Sequence, residues 1–234
     1  MSAPASAPKR VRRLVMLRHG QTEWNAGSRM QGQIDTDLTD LGRAQAVAAA
    51  EVLAKRQPLL ILSSDLRRAY DTAAALGERT GLAVGVDTRL RETHLGDWQG
   101  LNHLEVDDIA PGARLAWRDD ARWAPHGGES RVDVADRSMP LVTELVAGQA
   151  EWGSEADGAD AERPVVLVAH GGLIAALTAA VLDLPVDNWP ILGGMGNASW
   201  VQLSGHSAQD ASPEDVKWRL DVWNASAQVA NDVL

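Results

Sequence analysis

The stretch Leu14-Val15-Met16-Leu17-Arg18-His19-Gly20-Gln21-Thr22-Glu23-Trp24-Asn25 begins as an apolar run and ends abruptly at a charged residue, a histidine and a glycine. The run Leu14–Leu17 predicts a buried strand. Ligands of open parallel sheets bind outside the carboxyl ends of the strands, so Arg18 and His19 stand where a binding site is expected. Gly20 permits a tight turn or the close approach of a ligand. The same three residues also fit a strand followed by a charged turn, and the rest of the sequence has to decide.

A second apolar run ends in the same way. Val165–Ala169 gives the clearest strand prediction in the chain, and His170-Gly171-Gly172 follows it directly. A lone histidine is more often structural than catalytic. Two strand ends of the same kind, far apart in sequence, predict that His19 and His170 lie side by side at one edge of a parallel sheet.

Two arginines fall where a helix is expected to begin. Leu59–Leu62 predicts a short buried strand, and the helix predicted over residues 66–80 carries Arg67 and Arg68 in its first turn. A helix N-terminus disfavours cations, because that end of the helix dipole is positive. The same end offers free N–H groups to an anion. The pattern therefore fits an anion-binding site, although a solvated arginine pair remains an alternative.

The segment 90–100 has little helical or strand periodicity but is dense in polar side chains and glycines. Irregular segments of this kind often carry function. Glu92 is its candidate catalytic carboxylate. On local grounds a surface salt bridge between Glu92 and a neighbouring arginine is about equally compatible with the sequence.

The composition of the 234 residues restricts the class of protein. The absence of cysteine excludes disulfides and thiolate metal sites, and the net charge of −10 argues against nucleic-acid binding. An anionic substrate must then be attracted by a local arginine cluster. No segment approaches the roughly 20 apolar residues of a membrane span, so a cytoplasmic protein without a membrane partner is expected. Residues 1–10 are expected to be a disordered segment before a single domain over residues 11–234.

The remaining pattern alternates strands and helices, which favours a three-layer α/β fold. Residues 95–130 are predicted to form a lid-like insertion over one end of the sheet, and residues 151–163, with five acids, to form a mobile solvated loop. The other predicted elements are helices over 39–56, 130–150 and 173–182, a mostly helical stretch over 101–123 in which Pro111 starts a new helix, and strands over 83–86, 197–203 and 216–222. The predicted caps are Thr39, Ser64 or Asp65, and Ser130 at helix starts and Gly81 at a helix end.

The candidate site contains side chains that suit phosphoryl transfer. Arginine forks match phosphate oxygens and stabilise the charge of the transition state. A neutral imidazole can attack phosphorus, and nearby arginines keep a histidine neutral by lowering its pKa. A carboxylic acid can protonate the departing oxygen and later accept a proton from water. The candidates are Arg18, His19, Arg68, Glu92 and His170, with Asn25 and Gln31 nearby.

These residues lie in segments that resemble the histidine phosphatase (phosphoglycerate mutase-like) superfamily. The matching segments occur in the family's order: Leu17–Asn25, Ser63–Ala73, Glu92 with Gly96–Gly100, and His170–Gly172. The resemblance implies a three-layer α/β/α sandwich with a mixed, mainly parallel six-stranded sheet, and catalysis without a metal or other cofactor.

The resemblance also implies a role for each candidate. In the family pattern the pocket arginine directly precedes alanine, which selects Arg68 over Arg67. The implied roles are nucleophile for His19, phosphate pocket for Arg18, Arg68 and His170, proton donor and acceptor for Glu92, and pocket lining for Asn25 and Gln31.

One branch of the family is matched in more detail, through Arg91–Gly100, Trp123–Ser130, Gly193–Trp200 and Trp218–Gln228. This closer resemblance implies hydrolysis of glucosyl-3-phosphoglycerate to glucosylglycerate, on the way to methylglucose lipopolysaccharides, by a homodimer. Trp98, Trp117 and Trp123 are then candidates to contact the sugar, and Arg114, Arg118 and Arg122 are candidates to pair with the carboxylate.

Four alternatives remain at this stage. A phosphoglycerate mutase would use the same pocket, but the mutases carry a paired-arginine segment where residues 111–123 have only separated arginines. A broad-range small-molecule phosphatase is only weakly disfavoured. A binding protein that lost catalysis is disfavoured because every matched position is filled. A metal hydrolase is disfavoured because the six histidines, at 19, 94, 103, 126, 170 and 206, include no closely spaced ligand pair.

Overall fold

The structure of the protein, a computed structural model, describes residues 9–153, 163–209 and 211–227. Residues 1–8 of the predicted disordered segment lie outside these ranges. Its last two residues, Lys9 and Arg10, belong to the first strand, so the predicted boundary at residue 10 is wrong. The strand starts before the apolar run because its backbone pairs with a neighbouring strand, Lys9 with Ala208 and Arg10 with Ser207.

Strands and helices alternate along most of the described chain. The strands are β1 (Lys9–Arg18), β2 (Leu60–Ser63), β3 (Val84–Val86), β4 (Pro164–Ala169), β5 (Trp200–Ala208) and β6 (Lys217–Ala225). The α-helices are α1 (Glu23–Ala26), α2 (Asp40–Ala54), α3 (Arg67–Thr80), α4 (His103–Ile109), α5 (Ala113–Asp119), α6 (Arg131–Gly148) and α7 (Gly171–Val181). None of the described helices is long and apolar enough to cross a membrane.

The six strands form one sheet in the order β3-β2-β4-β1-β5-β6. The pairs β2–β3, β2–β4 and β1–β4 are parallel, whereas β5 runs antiparallel to both β1 and β6. Only β5 therefore runs against the others, and the mixed, mainly parallel six-stranded sheet implied by the resemblance is confirmed.

The central strand β1 is buried on both of its faces. Leu14 and Met16 pack in one core with side chains of α6 and α7, while Val15 and Leu17 pack in a second core with side chains of α2 and α3. Because side chains alternate along a strand, a continuous apolar run supplies both cores. The result is the predicted three-layer α/β/α arrangement.

The last two strands differ from their predicted ranges of 197–203 and 216–222. β5 pairs with β1 from Trp200 opposite Leu17 to Ala208 opposite Lys9, so it continues through part of the predicted polar loop 204–215. Backbone pairing, which has no sequence signature here, extends the strand beyond its apolar residues. Asn197 and Ala198 instead lie in a turn, with Ala198 at a φ of 52°.

The predicted caps are partly confirmed. Thr39 and Ser130 accept backbone N–H groups at the starts of α2 and α6, and Gly81 ends α3 with a φ of 73°. The predicted cap of α3 is wrong, since its N-cap is Leu66, which makes no side-chain cap bond. The Asp65 carboxylate instead accepts from Nε of Arg91 at 2.8 Å.

The segment 95–130, predicted to be a lid-like insertion, packs around an apolar cluster. Leu95, Trp98 and Val106 are buried there, with Trp117 and Trp123 packed against them. The stretch over 101–123, predicted to be mostly helical with a new helix from Pro111, is two short helices. α4 ends at Ile109, the chain turns at Pro111 and Gly112, whose φ is 80°, and α5 begins at Ala113.

The predicted mobile loop 151–163 is anchored at its start. Trp152 is fully buried, and its Nε1 donates to the Arg13 carbonyl at 3.0 Å. A mobile loop is therefore the wrong description for residue 152, whose large apolar ring fills space under the sheet. Residues 154–162 lie outside the described ranges.

Candidate active site

The carboxyl ends of β1 and β4 bring the two histidines together. Arg18 stands opposite Ala169 in the parallel register, so the next residues, His19 and His170, leave the sheet side by side. Their ring centroids are 5.2 Å apart, with 58° between the ring planes. The sequence prediction of neighbouring histidines at one sheet edge is thus confirmed.

A single hydrogen bond orients the His19 ring. Its Nδ1 lies 2.7 Å from the Gly20 carbonyl, and because a carbonyl only accepts, Nδ1 carries the proton. Burial, followed by the charges of Arg68 and Arg18, holds the pKa of His19 well below its usual range. The ring is therefore neutral, with the lone pair on Nε2.

His170 is completely buried next to it. Burial is the largest cause that holds the pKa of His170 well below its usual range, followed by the charge of Arg68. Neither ring nitrogen has a hydrogen-bond partner among the described residues. The His170 ring is therefore neutral in the folded chain.

Arg68 supplies a buried cation from the first turn of α3. Nη1 donates to the Ile34 carbonyl at 2.9 Å and Nη2 to the Gly32 carbonyl at 2.8 Å. Burial lowers the pKa of Arg68 to about 10, which still leaves the guanidinium charged at neutral pH. Its Nε has no acceptor among the described residues, so Arg68 keeps donor capacity for an anion.

Arg18 supplies the second cation of the pocket. One Nη1 proton goes to the Met195 carbonyl, and Nε has no acceptor in the described part of the chain. Burial lowers the pKa of Arg18, and the nearby Glu92 carboxylate opposes that shift. The guanidinium therefore faces the same cavity as Arg68 with donors to spare.

Glu92 is held at the N-terminus of α7. Its Oε1 accepts from the backbone N–H groups of Thr93 at 2.8 Å and Leu173 at 3.0 Å, and Oε2 accepts from Gly172 at 3.1 Å. Free N–H groups at a helix start are favourable partners for a carboxylate. The alternative of a surface salt bridge for Glu92 is wrong, since its partners are backbone groups beside the cavity.

Asn25 and Gln31 also line the cavity, and each is held by other side chains. The Asn25 Oδ1 accepts from Nδ2 of Asn197 at 3.0 Å, and the Gln31 Oε1 accepts from Thr36 at 2.6 Å. Their remaining amide groups can meet a ligand.

Six of the seven predicted site residues line one cavity of about 180 Å³, and the seventh, His170, is fully buried beside His19. The lining residues that the sequence had not singled out for the site are Arg29, Met30, Gly32, Thr93, Leu95 and Gly172. Gly32 and Arg29 lie in the loop after the first strand, but no periodicity distinguishes them, so only their proximity to Gln31 could have drawn attention to them.

Only one of the six residues predicted to contact the sugar or the carboxylate lines the cavity. Trp117 lines the cavity, whereas Trp98 and Trp123 pack against each other with ring centroids 5.3 Å apart. Arg114 pairs with Asp107, and Arg122 pairs with Asp187. Neither arginine lines the cavity, nor does Arg118.

No group of three or more histidine, aspartate or glutamate side chains is arranged to hold a metal ion within residues 9–153, 163–209 and 211–227. The pocket's charge comes from guanidinium groups.

Comparison with known proteins agrees with this geometry. The sequence model of the histidine phosphatase superfamily (branch 1) matches residues 14–225. A glucosyl-3-phosphoglycerate phosphatase of Mycolicibacterium vanbaalenii is 80% identical over 228 residues, which cover 96% of this chain and 100% of the relative. One of Mycobacterium tuberculosis is 76% identical over 226 residues, with 96% and 100% covered.

A solved structure is also closely similar. Mycobacterial glucosyl-3-phosphoglycerate phosphatase in complex with inorganic phosphate shares 74% identity with this chain at a TM-score of 0.86. The match covers 94% of this chain and 100% of that structure's chain.

Proposed function

This chain belongs to the histidine phosphatase superfamily, and from that premise we propose that it hydrolyses glucosyl-3-phosphoglycerate to glucosylglycerate and inorganic phosphate through a phosphohistidine at His19. The observation that carries the proposal is the oriented, neutral His19 ring between two guanidinium groups. Relatives that are 76–80% identical bear the name of this phosphatase, which supports the substrate.

In the first step Nε2 of His19 attacks phosphorus. The N–P bond forms as the bond between phosphorus and the substrate oxygen breaks, and Glu92, in its protonated form, gives a proton to the departing oxygen. In the second step Glu92 accepts a proton from water, the water oxygen attacks phosphorus, and the N–P bond breaks. Inorganic phosphate leaves and His19 is again neutral.

The phosphate pocket stabilises the charge throughout both steps. Arg18 and Arg68 offer guanidinium donors to the phosphoryl oxygens, and His170 can donate from a neutral ring. Asn25 and Gln31 add amide groups. These cations neutralise a phosphate dianion without a metal, so turnover is expected to continue in EDTA.

The cavity size bears on how the substrate lies. At about 180 Å³ it is smaller than the roughly 300–1,000 Å³ of pockets for drug-sized ligands. The phosphoglycerate end is then expected inside the cavity and the glucosyl group towards solvent, with Trp117, Met30 and Leu95 as the apolar side chains available to contact the sugar. A flat aromatic surface suits one face of a sugar ring.

A mutase must hold a second anionic group strongly enough to retain an intermediate. Two of the three arginines in residues 111–123 are engaged in ion pairs with Asp107 and Asp187. This supports phosphate release over transfer to a second position.

We further propose that the enzyme acts in the cytoplasm as a homodimer, on a step towards methylglucose lipopolysaccharides, and has no nucleic-acid or membrane partner. The sheet ends at β6, a nine-residue strand whose outer edge pairs with no other strand within the described residues. Proteins usually cover long edge strands, which supports an interface there. Light scattering of the purified protein tests the dimer.

The function is tested by phosphate release from glucosyl-3-phosphoglycerate, 3-phosphoglycerate and an aryl phosphate, each with and without EDTA. The glucosylated ester is expected to have at least about tenfold higher kcat/KM than 3-phosphoglycerate, or about 1.4 kcal/mol. His19→Ala should abolish turnover and the acid-labile phosphoenzyme seen after rapid quenching. Equal efficiency on both esters, or substantial interconversion of 2- and 3-phosphoglycerate, would refute this substrate assignment.

A further inference from the structure

Arg29 is the third arginine of the cavity and belongs to its outer wall. The cations among the described lining residues are Arg18, Arg68 and Arg29, with His19 kept neutral. The charges of the first two act on the buried His19, and Arg68 is itself fully buried, whereas the Arg29 side chain is 45% exposed and so lies on the solvent side of the cavity. Since the inner arginines serve the phosphate, a second anionic group of the ligand needs another cation.

We infer that Arg29 recognises the carboxylate of the substrate's glycerate group and so determines specificity. The inference rests on the proposed function, which supplies the carboxylate. Phosphate and carboxylate occupy opposite ends of a three-carbon chain in 3-phosphoglycerate. The cation for the carboxylate must therefore lie outside the phosphate pocket but in the same cavity, as Arg29 does.

The backbone fixes the position from which the Arg29 side chain starts. Its N–H donates to the Trp24 carbonyl at 2.8 Å, and residue 29 forms an antiparallel bridge with Asn102 at the start of α4. These bonds join the loop after β1 to the insertion, so Arg29 is held on both sides. A fixed origin reduces the entropy lost when the side chain binds a ligand.

The contacts of the Arg29 guanidinium leave room for a carboxylate. Nη1 donates to the Gly100 carbonyl at 2.8 Å and lies 3.6 Å from Glu105. The Arg29 and Glu105 side chains are each 45% exposed, and ion pairs this exposed are weak. A ligand carboxylate can therefore compete for the remaining donors in the two-pronged geometry that guanidinium groups favour.

The arginines expected from the sequence to serve the carboxylate are less suitable. Arg114 bonds Asp107 through Nε at 2.7 Å, and Arg122 bonds Asp187 at 2.6 Å. Neither they nor Arg118 line the cavity. Arg114 is thus a matched control, since it is also an arginine that approaches a carboxylate, but at a site away from the cavity.

The test compares 3-phosphoglycerate with glycerol 3-phosphate, which carries a hydroxymethyl group in place of the carboxylate. Arg29→Gln should lower kcat/KM about 10- to 100-fold on 3-phosphoglycerate and on its glucosylated ester, as expected for a lost hydrogen bond between charged groups. The loss on glycerol 3-phosphate should stay below about threefold. Arg29→Lys should recover part of the activity on the two substrates that carry a carboxylate. Arg114→Gln should leave the ratio of kcat/KM between 3-phosphoglycerate and glycerol 3-phosphate unchanged.

If Arg29→Gln lowers kcat/KM equally on 3-phosphoglycerate and glycerol 3-phosphate, or on neither, the inference is overturned. Thermal unfolding of each variant checks that Arg29→Gln acts on binding, because a structural defect lowers Tm and affects every substrate alike. If the parent protein fails to hydrolyse the glucosylated ester, the proposed substrate fails. The comparison of 3-phosphoglycerate with glycerol 3-phosphate still decides the role of Arg29 in that case.

Discussion

At the scale of single residues, two adjacent arginines have opposite environments. Arg67 and Arg68 both lie in the first turn of α3, but successive helical residues point about 100° apart. Arg68 is fully buried and donates to the Gly32 and Ile34 carbonyls, whereas Arg67 is exposed and pairs with Asp37 at 2.8 Å. Substituting each arginine in turn therefore tests the effect of its position, because the side chain removed is the same in both variants.

We predict that Arg68→Gln lowers kcat/KM about 10²- to 10³-fold, the usual effect of removing one donor to a developing charge. Arg67→Gln should stay within about threefold, since exposed ion pairs contribute little. Steady-state kinetics on an aryl phosphate measure both effects. Similar losses in the two variants would show that Arg68 has no special relation to the phosphate.

Substrates with different leaving groups can show whether Glu92 transfers a proton or only holds the pocket together. Glu92→Gln should slow the natural substrate about 10²- to 10⁴-fold, the range for losing a general acid. An aryl phosphate should lose less in the first step, because its departing oxygen needs little protonation. Rapid-quench measurement of phosphoenzyme formation on both substrates tests this prediction.

Glu92 also accepts three backbone hydrogen bonds, two from the start of α7 and one from Thr93, which a structural role would explain equally well. If Glu92→Gln lowers Tm and slows both substrates by the same factor, the carboxylate mainly holds the pocket together. Unequal losses at an unchanged Tm support proton transfer.

At the scale of elements, α7 begins immediately after β4, and its first turn touches the site. A Cβ atom on Gly172 would lie 2.6 Å from Oε1 of Glu92 and 2.8 Å from Oγ1 of Thr93. Both distances are far below contact distance, so the glycine allows Glu92 to approach the helix end.

Gly172→Ala is accordingly predicted to lower kcat at least tenfold, since displacement of a catalytic group by about 1 Å can reduce rates about 10²-fold. Gly148→Ala, at the end of α6 with no atom within 4 Å of the added carbon, is the control and should leave kcat unchanged. An active Gly172→Ala variant would mean that Glu92 tolerates displacement.

The elements differ in how far the sequence could predict them. The strand ends were predictable, because buried runs stop at His19 and His170 and a parallel sheet aligns such ends. The length of β5 was not, since residues 204–208 are paired through their backbone rather than by an apolar pattern. Arg29 was missed for a similar reason, because its place depends on a backbone bridge to the distant Asn102.

At the scale of the whole molecule, the protein carries a net charge of −10, but Arg18 and Arg68 make its candidate site locally cationic. Burial, followed by the charges of the arginines, keeps both site histidines neutral in the folded chain. Function and stability are therefore linked, since the neutral ring needed for attack is also a ring that resists protonation as the pH falls.

The sign of this linkage gives a prediction. The unfolded chain protonates each histidine near pH 6.5, whereas His19 and His170 have lowered native pKa values. The unfolded state then binds more protons below about pH 6.5, so the free energy of unfolding is fully retained above that pH and falls as the pH decreases. The two residues together contribute a slope of up to about 2.7 kcal/mol per pH unit.

Urea unfolding at pH 5 to 8 measures the slope. The double variant His19→Gln, His170→Gln should show a flatter dependence between pH 6.5 and 5, because the extra protons of its unfolded state are gone. Its stability relative to the parent should thus improve as the pH falls. His126→Gln, which alters an exposed histidine, should show the same pH dependence as the parent.

Carboxylates such as Asp65, whose pKa is lowered by Arg91, also reduce the free energy of unfolding as the pH falls, at lower pH and in all three proteins. Only the difference between the variants therefore measures the contribution of His19 and His170. Parallel curves for parent and double variant would mean that the two rings do not resist protonation in the folded protein, and the argument for a neutral nucleophile would lose its electrostatic basis.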